Sequence, residues 1–98
     1  MDASPPPFLD HPQEAEPPPG AAPLLRAIWH GLRGEWEAAH GIAQDDEGAD
    51  GSWVHAWLHR IEGDLPNAGY WYRRAGRPVA RGDTDAEGRA IGAALLER

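Results

Sequence analysis

From Leu24 onward the chain repeats itself at an offset of 29 residues. Ala27 matches Ala56, His30 matches His59, Gly34 matches Gly63 and Ala39 matches Ala68. Glu35 and Asp64 are both acidic, and the apolar positions 24, 25, 28, 29 and 32 recur as 53, 54, 57, 58 and 61. Agreement at all these positions in one register marks a copied supersecondary unit, since a period of roughly 20–50 residues is the signature of stacked repeats. At about 100° per residue each apolar set falls within an arc of roughly 140°, the stripe of an amphipathic helix. Gly34 and Gly63 then supply the left-handed residue that ends a helix.

The copied unit predicts an all-α domain over 23–98, with one hairpin over 23–44, a second over 52–76 and a C-terminal helix over 84–97. Asp64 is a candidate N-cap for the helix that starts near Leu65, Pro66 suits its first turn, and Gly76 with Pro78 stops it. The acidic run 45–50 reads as a solvated connector, because it lacks the spacing of a calcium loop. Thr84 and Glu87 have the spacing of a capping box, and Ile91, Ala94 and Leu95 share a face of the final helix. That helix is expected to cover the exposed end of the stack, as terminal elements of repeat arrays do.

The remaining segment, 1–22, reads differently. Eight of the ten prolines precede Leu24, accompanied by Asp2, Asp10, Glu14 and Glu16 and by no Arg. Missing backbone donors and mutual repulsion predict a disordered, solvated tail with polyproline II character. About 75 residues are then left to fold, a size whose single core supplies roughly 3–5 kcal/mol.

Composition excludes several chemistries. The chain has no Cys and no Lys, so disulfides, thiolate nucleophiles, Schiff-base lysines and P-loop lysines are ruled out. Net charge is −7, which argues against nucleic acid as a partner. No apolar run approaches the roughly 20 residues of a membrane span. The N-terminus lacks the basic start and apolar core of a secretory signal, so the cytoplasm is the expected compartment.

Gly63-Asp64-Leu65-Pro66-Asn67-Ala68, followed by Tyr72, Ala75 and Pro78, resembles the tetratricopeptide repeat, and Gly34-Glu35-Trp36-Glu37-Ala38-Ala39 is a weaker echo. The resemblance covers about residues 24–78. It departs from the family in its 29-residue period against a usual length of about 34. The tryptophan-rich stretch from Trp53 to Pro78 is also similar to a family of short bacterial proteins, from which no activity carries over. The tetratricopeptide resemblance implies a right-handed stack of antiparallel helix pairs that binds a protein or peptide segment, or another copy of itself. Leu24, Ile28, Trp53 and Trp57 fall at the positions that would line the concave binding groove. The competing reading makes these residues core, since a small domain has few other ways to bury apolar area. Arg73, Arg74 and Arg77 gather near the end of the second hairpin as candidate polar anchors for an acidic segment. Their plainer role is to offset a helix dipole.

The histidines carry the second reading. His55 and His59 are spaced i, i+4, which puts two imidazoles on one helical face. His40 lies on the apolar side of its helix, and His30 is the repeat partner of His59. Convergence of His30, His40, His55 and His59, joined by a carboxylate from 45–50, would make a zinc or iron site in a small metal-binding protein or metal-dependent hydrolase. The alternative is that each ring packs and hydrogen-bonds singly, with no cofactor at all. A true cluster predicts that stability falls below about pH 6, where like charges would be forced together.

Overall fold

The structure is a computed structural model that describes residues 5–98. Those residues form six helices and no strands: α1 (Pro7–Asp10), α2 (Pro23–Leu32), α3 (Trp36–Gln44), α4 (Ala49–Glu62), α5 (Leu65–Ala75) and α6 (Thr84–Leu96). The described residues are all-α, as the periodicity predicts.

Both repeated turns close by the same local chemistry. Gly34 and Gly63 adopt φ of 79° and 86°, and the amide that follows each glycine bonds back into the helix. Glu35 N–H donates to the His30 carbonyl at 2.9 Å, and Asp64 N–H donates to the His59 carbonyl at 3.0 Å. The Asp64 carboxylate then accepts from Asn67 N–H at the start of α5. Helix α4 begins at Ala49, earlier than expected, so part of the acidic connector is helical; just before it the Asp46 carboxylate accepts from Gly48 N–H at 2.9 Å. Capping of α6 also differs from the expected box. Asp83, one residue upstream of Thr84, accepts from Ala86 N–H at 2.9 Å. Glu87 turns inward instead, accepting from Arg60 Nη1 at 2.7 Å and from the Tyr72 hydroxyl. Burial, and then this carboxylate, hold the Tyr72 phenol far above its ordinary pKa.

Helix α2 packs on α3, α3 on α4, and α4 on α5, while α6 lies across α2 and α4. The terminal helix therefore covers the face formed by the first helix of each pair, rather than the exposed end of the stack. Two glycines explain why. Trp57 on α4 is fully buried, and its indole fills space that side chains at Gly31 on α2 and Gly88 on α6 would occupy. Ile28, Val54, Leu58 and Ile91 complete this centre, all without exposed surface. Leu24, Ile28 and Trp57 are thus core rather than an open groove, and Trp53 is half-buried.

The expectation of a disordered tail is also corrected. Its first four residues lie outside the described part of the chain. Beyond them, Phe8 and Leu9 on α1 are 4% and 0% exposed, and α1 packs against α2 and α6. The prolines and acids of this segment disfavour autonomous structure. The Phe8–Leu9 pair nevertheless buries enough apolar area against the helices to order it.

Candidate metal centre

Helices α3 and α4 bring together three of the four candidate histidines. One ring nitrogen each from His40, His55 and His59 lie within 4.8 Å of one another. The local sequence explains their delivery. His55 and His59 sit one turn apart on α4, with rings stacked at 4.8 Å between centroids. His40 approaches from α3, and its Nε2 stands 2.9 Å from Nε2 of His55 in a hydrogen bond that one ring donates and the other accepts.

Two tryptophans fix the ring orientations. Trp36, one turn before His40, stacks on it at 4.6 Å, and its own indole N–H is anchored to the Leu58 carbonyl at 2.6 Å. Trp71 of α5 stacks on His55 at 3.8 Å. On the far side of His59, Nδ1 lies 2.7 Å from Glu62 Oε1, and Asn67 Nδ2 approaches Nε2 at 3.4 Å. The tautomer with its proton on Nδ1 would donate to Glu62 and leave Nε2, toward which Asn67 points, as the acceptor nitrogen. This is the carboxylate–histidine pairing that orients metal-binding imidazoles.

The charge states suit a cation. His55 and His59 are 6% and 7% exposed. Burial, and then the neighbouring His40 and His59, push the His55 pKa down to about 4. Burial, followed by His59, lowers His40 as well. Both rings are neutral at pH 7, the form that ligates metal. Tetrahedral zinc, with bonds of about 2.0–2.1 Å, spaces its ligand nitrogens by roughly 3.3 Å, so a small opening of the His40–His55 pair would admit the ion.

These shifts also set how the metal-free chain responds to acid. His55 binds its proton near pH 4 when folded and near pH 6.5 when unfolded. Its contribution to stability is therefore complete above about pH 6.5 and is lost as pH falls from there toward 4, because the unfolded chain takes up the proton first. In chelator, the urea midpoint is expected to drop between pH 7.5 and 4.5 by the equivalent of about 2–3 kcal/mol. A His55→Asn chain should show a flatter profile, and equal profiles for the two chains would contradict this assignment.

His30 does not join the cluster. Its Nδ1 pairs with Glu35 Oε1 at 2.8 Å, and Arg33 Nε holds the same oxygen at 3.1 Å. The repeat explains the difference. The position equivalent to Glu62 is Arg33, so His30 finds its carboxylate across the turn and outside the α3–α4 contact. No carboxylate from the acidic connector joins either. The acidic neighbours of His59 are Glu62 and Asp64. Arg73 is exposed, Arg74 lies over Trp71 at 5.2 Å, and Arg77 lies over Trp53 at 3.8 Å. Two of the three proposed anchors thus cover aromatic rings. Sequence reasoning missed Trp36, Trp71 and Glu62 as supports of the cluster. The i, i+3 spacing of His59 and Glu62 was a legible signal, whereas the tryptophan stacking required knowing which helices pack together.

Comparison of this chain with known protein families, with curated proteins and with solved structures finds no match.

Proposed function

We propose that this chain binds a divalent transition metal through His40, His55 and His59. The observation that carries the reading is the convergence of three buried or half-buried imidazoles, two of them on adjacent turns of α4 and the third from α3. Three nitrogen ligands without thiolate suit zinc, copper, nickel or iron(II), with zinc as the reference case. The carboxylate behind His59 and the indoles against His40 and His55 support it, because they hold the rings in place before any ion arrives.

The finer architecture belongs to the same proposal. We read α2–α3 and α4–α5 as a duplicated pair of tetratricopeptide-like hairpins, supported by the 29-residue register and the matching turn hydrogen bonds. In this reading the duplication supplied the helix on which His59 lies, and divergence after it produced the site.

The test is cobalt(II) and zinc titration of the full chain purified without a histidine tag. One equivalent of metal is expected to bind, with visible cobalt absorption of a low-coordinate nitrogen site. His40→Asn and His55→Asn should lose it, and His30→Asn should retain it. Equal uptake by the wild type and the three variants would remove the site.

A further inference from the structure

Helix α5 meets the histidine-bearing face of α4 in two rungs. Trp71 stacks on His55 at 3.8 Å, and one turn back along α5 the Asn67 amide stands against His59, Nδ2 to Nε2 at 3.4 Å. The two residues on each helix are four apart, so the antiparallel pair brings them into register. The start of α5 fixes Asn67 in this place, because its backbone N–H donates to the Asp64 carboxylate at 3.3 Å. Asn67 is the only asparagine in the chain, and it is half-buried. At the 29-residue offset its counterpart is Ala38, so neither the turn nor the helix start needs an amide there.

A metal on Nε2 of His59 changes what this amide meets. In the metal-free chain Nδ2 points its hydrogens at a nitrogen lone pair. The ion would take that lone pair, and the same N–H groups would then face a cation. Half a turn about χ2 exchanges the two edges of the amide and presents the lone pairs of Oδ1 in the same place. The separation suits a ligand. Tetrahedral zinc spaces its ligand atoms by roughly 3.3 Å, and the amide edge already stands 3.4 Å from Nε2. Indoles rather than carboxylates lie against His40 and His55, and Glu62 is engaged with Nδ1 on the other side of His59. The Asn67 amide is the polar group at the ligand edge.

We infer that Asn67 supplies the fourth ligand of the His40, His55 and His59 centre through Oδ1, and so closes its coordination shell. The inference rests on the metal reading above and specifies it. A shell of three imidazoles and an amide oxygen holds an ion in the manner of structural zinc sites, whereas a catalytic site keeps its fourth position for water or substrate. The ion therefore ties α3, α4 and α5 together. Of the two activities a histidine cluster allows, metal binding is selected over metal-dependent hydrolysis. An amide oxygen binds zinc less firmly than imidazole does, so Asn67 governs access to the ion more than total affinity.

The experiment is cobalt(II) titration of the full chain without a histidine tag, with azide then added to the loaded protein. Wild type is expected to show visible cobalt bands that azide leaves unchanged. Asn67→Ala keeps the three imidazoles and should bind cobalt about tenfold more weakly. Its bands should shift as azide enters the opened position. Asn67→Asp puts a charged oxygen in the same place, and should bind at least about tenfold more tightly than Asn67→Ala and regain indifference to azide. Alanine already holds the equivalent position in the first hairpin, so Asn67→Ala is expected to fold. Should it not, the wild type still carries the test. Wild-type bands that shift in azide overturn the inference and leave a three-histidine centre with an open position. An Asn67→Ala chain with wild-type bands, affinity and azide response overturns it too. Both results leave the metal site standing. Failure of the wild type to take up cobalt removes the site itself, and this inference with it.

Discussion

Trp57→Ala is expected to unfold the domain at 37 °C. The indole is fully buried where α2, α4 and α6 meet, and its N–H donates to the Thr84 carbonyl at 2.7 Å. Truncating a core tryptophan costs roughly 3–5 kcal/mol through lost transfer energy and the cavity left behind. That approaches the whole stability of a marginal domain of this length, at about 0.05 kcal/mol per residue. The opposite change at the same point is a sharper probe of geometry. A Cβ at Gly88 would lie 2.4 Å from Trp57 Cζ2, and one at Gly31 would lie 2.6 Å from Cη2. Both contacts are with a ring that cannot swing aside, so Gly88→Ala should destabilise by about 1–3 kcal/mol through over-packing. Urea unfolding followed by far-ultraviolet circular dichroism reads both. A Trp57→Ala chain with the wild-type midpoint would show that α6 does not close over this centre.

Zinc is expected to raise the thermal midpoint of the wild-type chain by about 10–20 °C. A ligand that binds only the folded state, at a hundred times its dissociation constant, adds about 2.7 kcal/mol. In a domain this small each kcal/mol moves the midpoint by roughly 4–8 °C. His55→Asn should abolish the shift, because it removes one of the three ligand rings and leaves only two imidazoles. Glu62→Gln is the more discriminating variant. It keeps all three ligands and weakens only the partner of His59 Nδ1, so zinc affinity should fall by about 10–100-fold while the apo midpoint changes little. A shift equal in wild type and His55→Asn would assign the effect to surface sites such as His11. Chelator should return the wild-type midpoint to its metal-free value, since nothing else in the proposed site holds the ion.

The acidic response of the metal-free chain gives an independent check on the same cluster. It requires no metal and depends on the burial of His55 and, after that, on the neighbouring His40 and His59. Agreement between the two experiments would link one set of side chains to both metal affinity and proton-dependent stability.

How much of this was legible beforehand divides by range. The helices of both pairs, their glycine turns and the adjacency of His55 and His59 follow from spacing along the chain. Backbone geometry fixes 3.6 residues per turn wherever a helix forms. Local details departed from expectation: α4 starts three residues early, just after a turn in which Asp46 takes the Gly48 amide, and Asp83 rather than Thr84 caps α6. Duplication also suggested a symmetry that the structure does not keep. His30 and His59 are equivalent in register, yet a single difference, Arg33 against Glu62, sends their rings to different carboxylates.

By itself the amino-acid order determined an all-helical chain with a 29-residue sequence register, and it placed two imidazoles on one face of α4. Only the packed molecule decided that α6 lies over Trp57, that Phe8 and Leu9 are buried, and that His40 reaches His55 while His30 turns away. Local structure depends on torsions and hydrogen bonds between near neighbours, which any short window of residues displays. The remaining choices depend on which surfaces fill one another's space, and glycines such as Gly31, Gly88 and Gly92 make that fit without leaving a periodic trace.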